Sequence, residues 1–124
     1  MKPVESVDTV LTDFFVAGWP YAKQSFRYKR GGSYQTENIK NWQNTIGWTA
    51  KEHYKGELLT CPVKVYLDFF VKRNDSDVDN ISKCLLDGLQ GVVFKNDRQV
   101  MELHATKQVS KLGLGVRVRI CTAK

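Results

Sequence analysis

The chain has 124 residues, enough for one small domain, 1–124, with a core modest enough that oligomerisation is expected. A hydrophobic content of 42% and an aromatic content of 11% exclude a disordered chain. The formal net charge of +6 fits a nucleic-acid partner, because lysines and arginines displace counterions from phosphates, and fits a merely soluble basic protein as well.

The charge is unevenly distributed. No acid lies between Asp13 and Glu37, where Lys23, Arg27, Lys29 and Arg30 stand. None follows Glu102, where Lys107, Lys111, Arg117, Arg119 and Lys124 stand. Acids therefore concentrate in the middle of the chain between basic segments. Cys61, Cys84 and Cys121 form no CxxC pair, and their apolar neighbours predict reduced, buried thiols. The start MKPVESVDTV lacks an apolar signal core, and no run approaches the roughly 18 apolar residues of a membrane span. A cytoplasmic protein with no membrane partner is expected.

In chain order, residues 1–9 are polar. Leu11 to Ala17, rich in aromatic and β-branched residues, predicts a strand ended by Gly18-Trp19-Pro20. Tyr21 to Tyr34 reads as a basic, aromatic-laced loop. There Lys23, Arg27 and Arg30 suit phosphate, and Phe26 or Tyr28 suits base stacking. Thr36 is the expected N-cap of a helix from Glu37 to about Tyr54, with a core stripe of Ile39, Trp42, Ile46, Ala50 and His53. Trp48 lies opposite that stripe and suits a subunit contact.

Gly56 and Pro62 bracket a turn. Val63, Val65, Leu67, Phe69 and Val71 then alternate with Lys64, Tyr66, Asp68, Phe70 and Lys72, the clearest period-2 pattern in the chain. Ile81, Leu85 and Leu89, with Cys84, predict a second helix over about Asn80–Gln90, stopped by Gly91. Val92–Phe94 is too short to assign. Met101, Leu103 and Ala105 mark one further strand, and Leu114, Val116, Val118 and Ile120 another. The SKLG link between them predicts an antiparallel hairpin. His104 falls on the polar face of its strand with no evident partner.

The stretch NDSDVDNISKCLLDGLQGVVFKND, 74–97, carries the chemistry. In an extended segment Asp77 and Asp79 would project to one side about 7 Å apart. Asp97 would join them if the intervening helix and turn fold it back. Three hard oxygen donors suit Mg²⁺, which keeps waters and takes further ligands from substrate phosphate. Lys83 shares a helix face with Asn80 and Asp87 and could offset charge at a scissile phosphate. Three plainer readings compete: Asp79 or Asn80 as a helix cap, a calcium loop, or a solvated acidic face. The calcium loop fails, because Asn80 and Leu86 stand where it needs Gly and Glu.

The string DVDNISKCLLDGLQGVVFKND, followed by RQV, resembles the RusA family of Holliday junction resolvases, whose pattern is roughly D-x-D-N-x-x-K-x-x-x-D, a Gly-containing link, an apolar run and D-D before a strand. The resemblance implies a homodimeric, Mg²⁺-dependent endonuclease, with Mn²⁺ as a possible substitute, that nicks opposing strands of a four-way DNA junction. By position, Asp77, Asp79 and Asp97 would be catalytic metal ligands and Lys83 the active-site lysine. Asn80 and Asp87 would support them from behind. Lys72 and Arg73 match a basic run before the first acid. Together with Lys23, Arg27, Arg30, Arg98 and Lys107 they complete the expected DNA-contacting set. Asn96 stands where the family pattern has an acid. A two-fold junction independently suits a two-fold protein.

The expected fold is α+β, a mixed, mostly antiparallel sheet of four to five strands with two main helices. The competing functions are a broader nuclease on flaps, forks or replication intermediates, and a junction-binding protein without catalysis.

Overall fold

The computed structural model describes residues 9–22 and 33–123. Its elements are β1 (Val10–Ala17), α1 (Ser33–His53), β2 (Val63–Val71), α2 (Val78–Leu89), a 3₁₀ turn (Asp97–Gln99), β3 (Val100–Val109) and β4 (Gly115–Thr122). The strands form one mixed sheet in the order β1-β4-β2-β3, with both helices against one face, as an α+β reading expects. Lys23, Arg27, Arg30, Phe26 and Tyr28 lie outside the described residues.

β2 is buried at Val63, Val65, Leu67, Phe69 and Val71, while Lys64, Tyr66, Asp68 and Phe70 face the other side. That alternation sets the faces of the whole sheet. Phe14 and Val16 from β1 and Val116, Val118 and Ile120 from β4 join the same core side. The helices close it with Trp42, Ile46 and Ala50 from α1 and Ile81, Cys84, Leu85 and Leu89 from α2. α1 begins at Ser33, so Thr36 lies inside the helix and is not its cap. Trp48 is 69% exposed, on the face opposite the stripe. His53 is exposed, yet its ring stacks on Phe14 at 5.5 Å, so it borders the core and does not enter it.

The helices approach closely because both carry glycine at the crossing. A Cβ on Gly88 would sit 3.2 Å from the Gln43 carbonyl oxygen and from Ile46. Across the same contact the Gln43 amide donates to the Cys84 carbonyl at 3.0 Å. Gly91, at φ +85°, turns the chain out of α2 where a side chain would be strained. Val93 and Phe94, unassigned from their short run, are fully buried and bridge to Leu59. Cys84 and Cys121 are buried, but Cys61 is exposed, contrary to the expectation of three buried cysteines.

The expected β3–β4 hairpin is not formed. β2 lies between the two strands, parallel to β3 and antiparallel to β4. The link after Val109 steps over the end of β2, where the Ser110 amide donates to the Val71 carbonyl at 2.8 Å. Two strand spacings are about 10 Å, well within reach of a short link. Burial explains the order: β4 places Val116, Val118, Ile120 and Cys121 out of water and takes an inner position, whereas β3 is largely exposed and takes the edge.

Leu85 is fully buried between the helices and the sheet. Leu85→Ala is expected to lower the unfolding free energy by about 2–5 kcal/mol, read by urea denaturation with an unchanged m-value.

Candidate active site

The chain leaves β2 through residues 72–76 and enters α2 at its N-cap, Asp77. The Asp77 side chain makes no capping hydrogen bond, so its carboxylate is not consumed by the helix start. Neither Asp79 nor Asn80 is the cap. Asp79 sits in the first turn of α2, so the two acids do not share an extended segment; they flank one helix N-terminus instead. That end of a helix dipole favours negative charge, in side chains and in phosphate alike. At 100° per residue, Asp79, Asn80, Lys83 and Asp87 fall on the face of α2 opposite Ile81, Leu85 and Leu89. Asp77, Asp79 and Lys83 are exposed, and Asn80 and Asp87 are half-buried.

Three ties hold this entrance. Lys107, from β3, donates its ammonium to the Ser76 carbonyl, one residue before Asp77. Arg73 pairs with Asp75 at 3.3 Å and lies over the Trp19 ring, 5.6 Å from its centroid. Two of the expected DNA contacts thus have internal partners. Lys107 is half-buried and works as a strut, which sequence alone did not disclose. Lys72 and Arg98 are exposed and take part in no ion pair among the described residues.

Asp97 is elsewhere. It opens the 3₁₀ turn before β3, and Gln99 in that turn donates to the carbonyls of Leu59 and Cys61, just ahead of β2. Asp77 lies past the other end of β2. The twelve residues of α2 separate the two sites by about 18 Å at 1.5 Å per residue. The expectation that helix and turn would fold Asp97 back onto Asp79 is therefore not met within one chain. Among the described residues no three His, Cys, Asp or Glu side chains gather closely enough to hold a metal ion. Among the described residues, the donors of a single copy do not fit Mg²⁺.

Asn96 has a role of its own. It caps the 3₁₀ turn: its side chain accepts from the Arg98 amide at 2.9 Å, and the Gln99 side chain accepts from the Asn96 amide at 2.8 Å. The Asp97 amide donates to Gln90 at 2.8 Å. The backbone of Asp97 is thus fixed while its carboxylate stays exposed.

A family model for endodeoxyribonuclease RusA matches residues 17–121. The chain belongs to the RusA endodeoxyribonuclease family. It is also 28% identical, over 103 residues and 82% of each chain, to the crossover junction endodeoxyribonuclease RusA of Aquifex aeolicus (strain VF5). The acidic stretch, β2, β3 and β4 as far as Cys121 of this RusA member fall within the matched span, which β1 enters only at Ala17. It is a nuclease fold in which no helix among the described residues is long and apolar enough to cross a membrane.

The sheet face away from the helices carries charge that is already neutralised. Asp13 accepts from Arg117 at 2.9 and 3.1 Å and from Arg119 at 3.3 Å. The Arg117 hydrogen bonds, chiefly, hold the Asp13 carboxyl below its ordinary value of 3.8. His104, which seemed partnerless in sequence, bonds Glu102 at 2.9 Å and stacks on Tyr66 at 4.8 Å. That bond, with Lys64 nearby, lowers the Glu102 pKa.

Two outcomes follow for variants. A carboxyl with a depressed folded pKa stabilises above its unfolded value, and the gain fades as pH falls through the folded value. Asp13→Asn should therefore cost about 0.5–1 kcal/mol at pH 7, a half-exposed arginine being well screened, with the deficit closing in acid below the ordinary carboxylate pKa; thermal melts at several pH values read this. Lys107→Met should lower the nicking rate several-fold without weakening DNA binding, and Lys107→Arg should restore part of it, as measured by single-turnover cleavage and gel shift.

Proposed function

We propose that this protein resolves Holliday junctions, binding four-way DNA as a homodimer and nicking two opposed strands with the help of Mg²⁺. The observation that carries the reading is the α2 entrance, where Asp77, Asp79, Asn80 and Lys83 cluster at one exposed helix N-terminus in a chain of the RusA family. The name of the Aquifex relative supports the crossover junction as substrate. In this reading 1–124 is a single RusA-like domain working in the bacterial cytosol, in the service of the host or of a phage.

Asp77, Asp79 and Asp97 are the proposed metal ligands, and Lys83 offsets charge on the reacting phosphate. Because one copy holds them about 18 Å apart, the proposed site takes Asp77, Asp79 and Lys83 from one protomer and Asp97 from the other. Asn80 and Asp87 lie on the same helix face and steady the set. Lys72 and Arg98 contact phosphate, and Lys23, Arg27 and Arg30 add to that electrostatic binding.

The test is nicking of a four-way junction with and without Mg²⁺, beside a panel of flaps, forks and linear duplex. Preference for flaps or forks would favour a broader structure-selective nuclease, and binding without nicking an accessory protein. Asp77→Asn and Asp97→Asn should each abolish nicking and leave binding intact. Mixed together, the two inactive variants should recover single nicks, because half of the sites in each heterodimer are then whole. No recovery, in a mixture shown to exchange subunits, would mean that each site is built from one chain.

A further inference from the structure

The link between β3 and β4, residues 110–114, is pinned at both feet. The Ser110 amide donates to the Val71 carbonyl at 2.8 Å, and the Gly18 amide donates to the Leu114 carbonyl at 3.1 Å. The Ser110 hydroxyl accepts from the amides of Leu112 at 3.2 Å and Gly113 at 3.5 Å, which fixes the turn between the feet. Gly115, at φ +151°, then passes so close to β1 that a Cβ would meet the Val16 carbonyl oxygen at 2.2 Å. The tip stands clear of the protein. A Cβ on Gly113 would meet nothing within 4 Å, and Leu112 is 97% exposed. A leucine is thus held out into solvent on a hydrogen-bonded turn.

This turn stands at the Asp77 end of the sheet. It begins just past Lys107, whose ammonium donates to the Ser76 carbonyl next to Asp77. From Lys107 to the turn is roughly 10 Å of extended chain, the length of about three base steps. The exposed neighbours Lys72 and Lys111 enter no ion pair among the described residues, and no acid follows Glu102 in the chain. We infer that Leu112 is a wedge: on branched DNA it enters a base step close to the cleaved phosphate, while Lys72 and Lys111 meet the flanking phosphates. This rests on the reading of the protein as a nuclease of branched DNA, and it needs only one copy of the chain. An apolar side chain that enters a duplex works against the stacking of neighbouring bases. That opposition is least where pairing is already interrupted, which is what sets a branch apart from linear duplex. Leu112 therefore bears on which DNA is cut, and the two lysines on how tightly DNA of any form is held.

Other surfaces suit this role less well. The sheet face away from the helices offers the ring pairs Tyr66–His104 and Phe15–Phe70, but there Arg117 and Arg119 are paired with Asp13, and Lys64 with Glu102. Trp19 is only 37% exposed and has the Arg73 guanidinium over its ring. A single exposed leucine is ordinary on a protein surface. What singles out Leu112 is the fixed turn beneath it, the free lysines beside it and the acids at the same end of the sheet.

The experiment sets 2-aminopurine at the branch of a four-way junction, and within a linear duplex of the same sequence, and adds the full chain in EDTA so that bound DNA stays uncut. Wild type should raise the junction fluorescence about threefold or more and leave the linear duplex unchanged. Leu112→Ser should abolish that rise and lower the single-turnover nicking rate in Mg²⁺ at least tenfold, with the junction dissociation constant within twofold of wild type and an unchanged far-UV spectrum. Leu112→Met should keep both the rise and the rate. A Leu112→Ser variant that unstacks or nicks like wild type overturns the wedge, leaves the nuclease reading intact and makes Leu112 an ordinary surface residue. Weakened binding with undiminished fluorescence of the bound junction overturns it too, as does a wild type that nicks the junction without unstacking it. A wild type that neither binds nor nicks branched DNA overturns the nuclease reading and the wedge together.

Discussion

The parallel pairing of β2 with β3 is the constraint on which the rest of the molecule depends. Parallel neighbours cannot be joined by a tight turn, because the second strand must start at the same end as the first. The chain therefore has to travel back along the full length of the sheet, and α2 does so. Its apolar face, Ile81, Leu85 and Leu89, is buried in the core on the way. Its polar face keeps Asp79, Asn80, Lys83 and Asp87 toward solvent. The crossover also divides the acids: Asp77 and Asp79 mark the exit from β2, and Asp97 marks the entry to β3. Twenty-one residues of continuous sequence thus set these acids at opposite ends of one sheet.

Much of this was legible in the sequence, and what was not has physical causes. The alternation Val63 to Val71 is reproduced residue by residue in the burial of β2. The α2 stripe and the Gly91 stop also stand as read. Alternation reports which face a side chain takes, not which strand lies beside it. Two period-2 runs joined by SKLG therefore looked like a hairpin, although β2 separates them. The position of Asp97 failed for a related reason: the length of α2 was readable, but its direction relative to the sheet follows from a pairing that no local pattern encodes. Val93 and Phe94 were missed because three apolar residues have no period. The cap at Asn96 was recoverable, since Asn followed three residues later by Gln is a capping-box spacing.

Net charge required the most correction from three-dimensional detail. A formal +6, with basic segments on both sides of an acidic middle, fits a nucleic-acid partner. In the fold, Arg117 and Arg119 share Asp13, Arg73 is held by Asp75 and Trp19, and Lys107 is committed to a backbone carbonyl. The open sheet face is consequently a set of satisfied pairs, with Thr106 donating to Asp68 at 2.8 Å among them. Exposed cations without an ion pair among the described residues include Lys72 and Lys83 at the exit of β2 and Arg98 at the entry of β3, besides Lys40, Lys51, Lys55, Lys95 and Lys111. Charge that can meet phosphate thus includes the two places that carry the acids.

A site divided between copies has a consequence for the reaction proposed. A monomer would hold Asp77, Asp79 and Lys83 without Asp97, so it could not cut a stray strand. Pairing across a two-fold would complete two sites at once, related by the symmetry that also relates opposed strands of a four-way junction. Lys72 of one copy and Arg98 of the other would then flank each site, adding phosphate contacts that exist only in the assembled state. Their contribution to binding would be electrostatic and would weaken as salt rises.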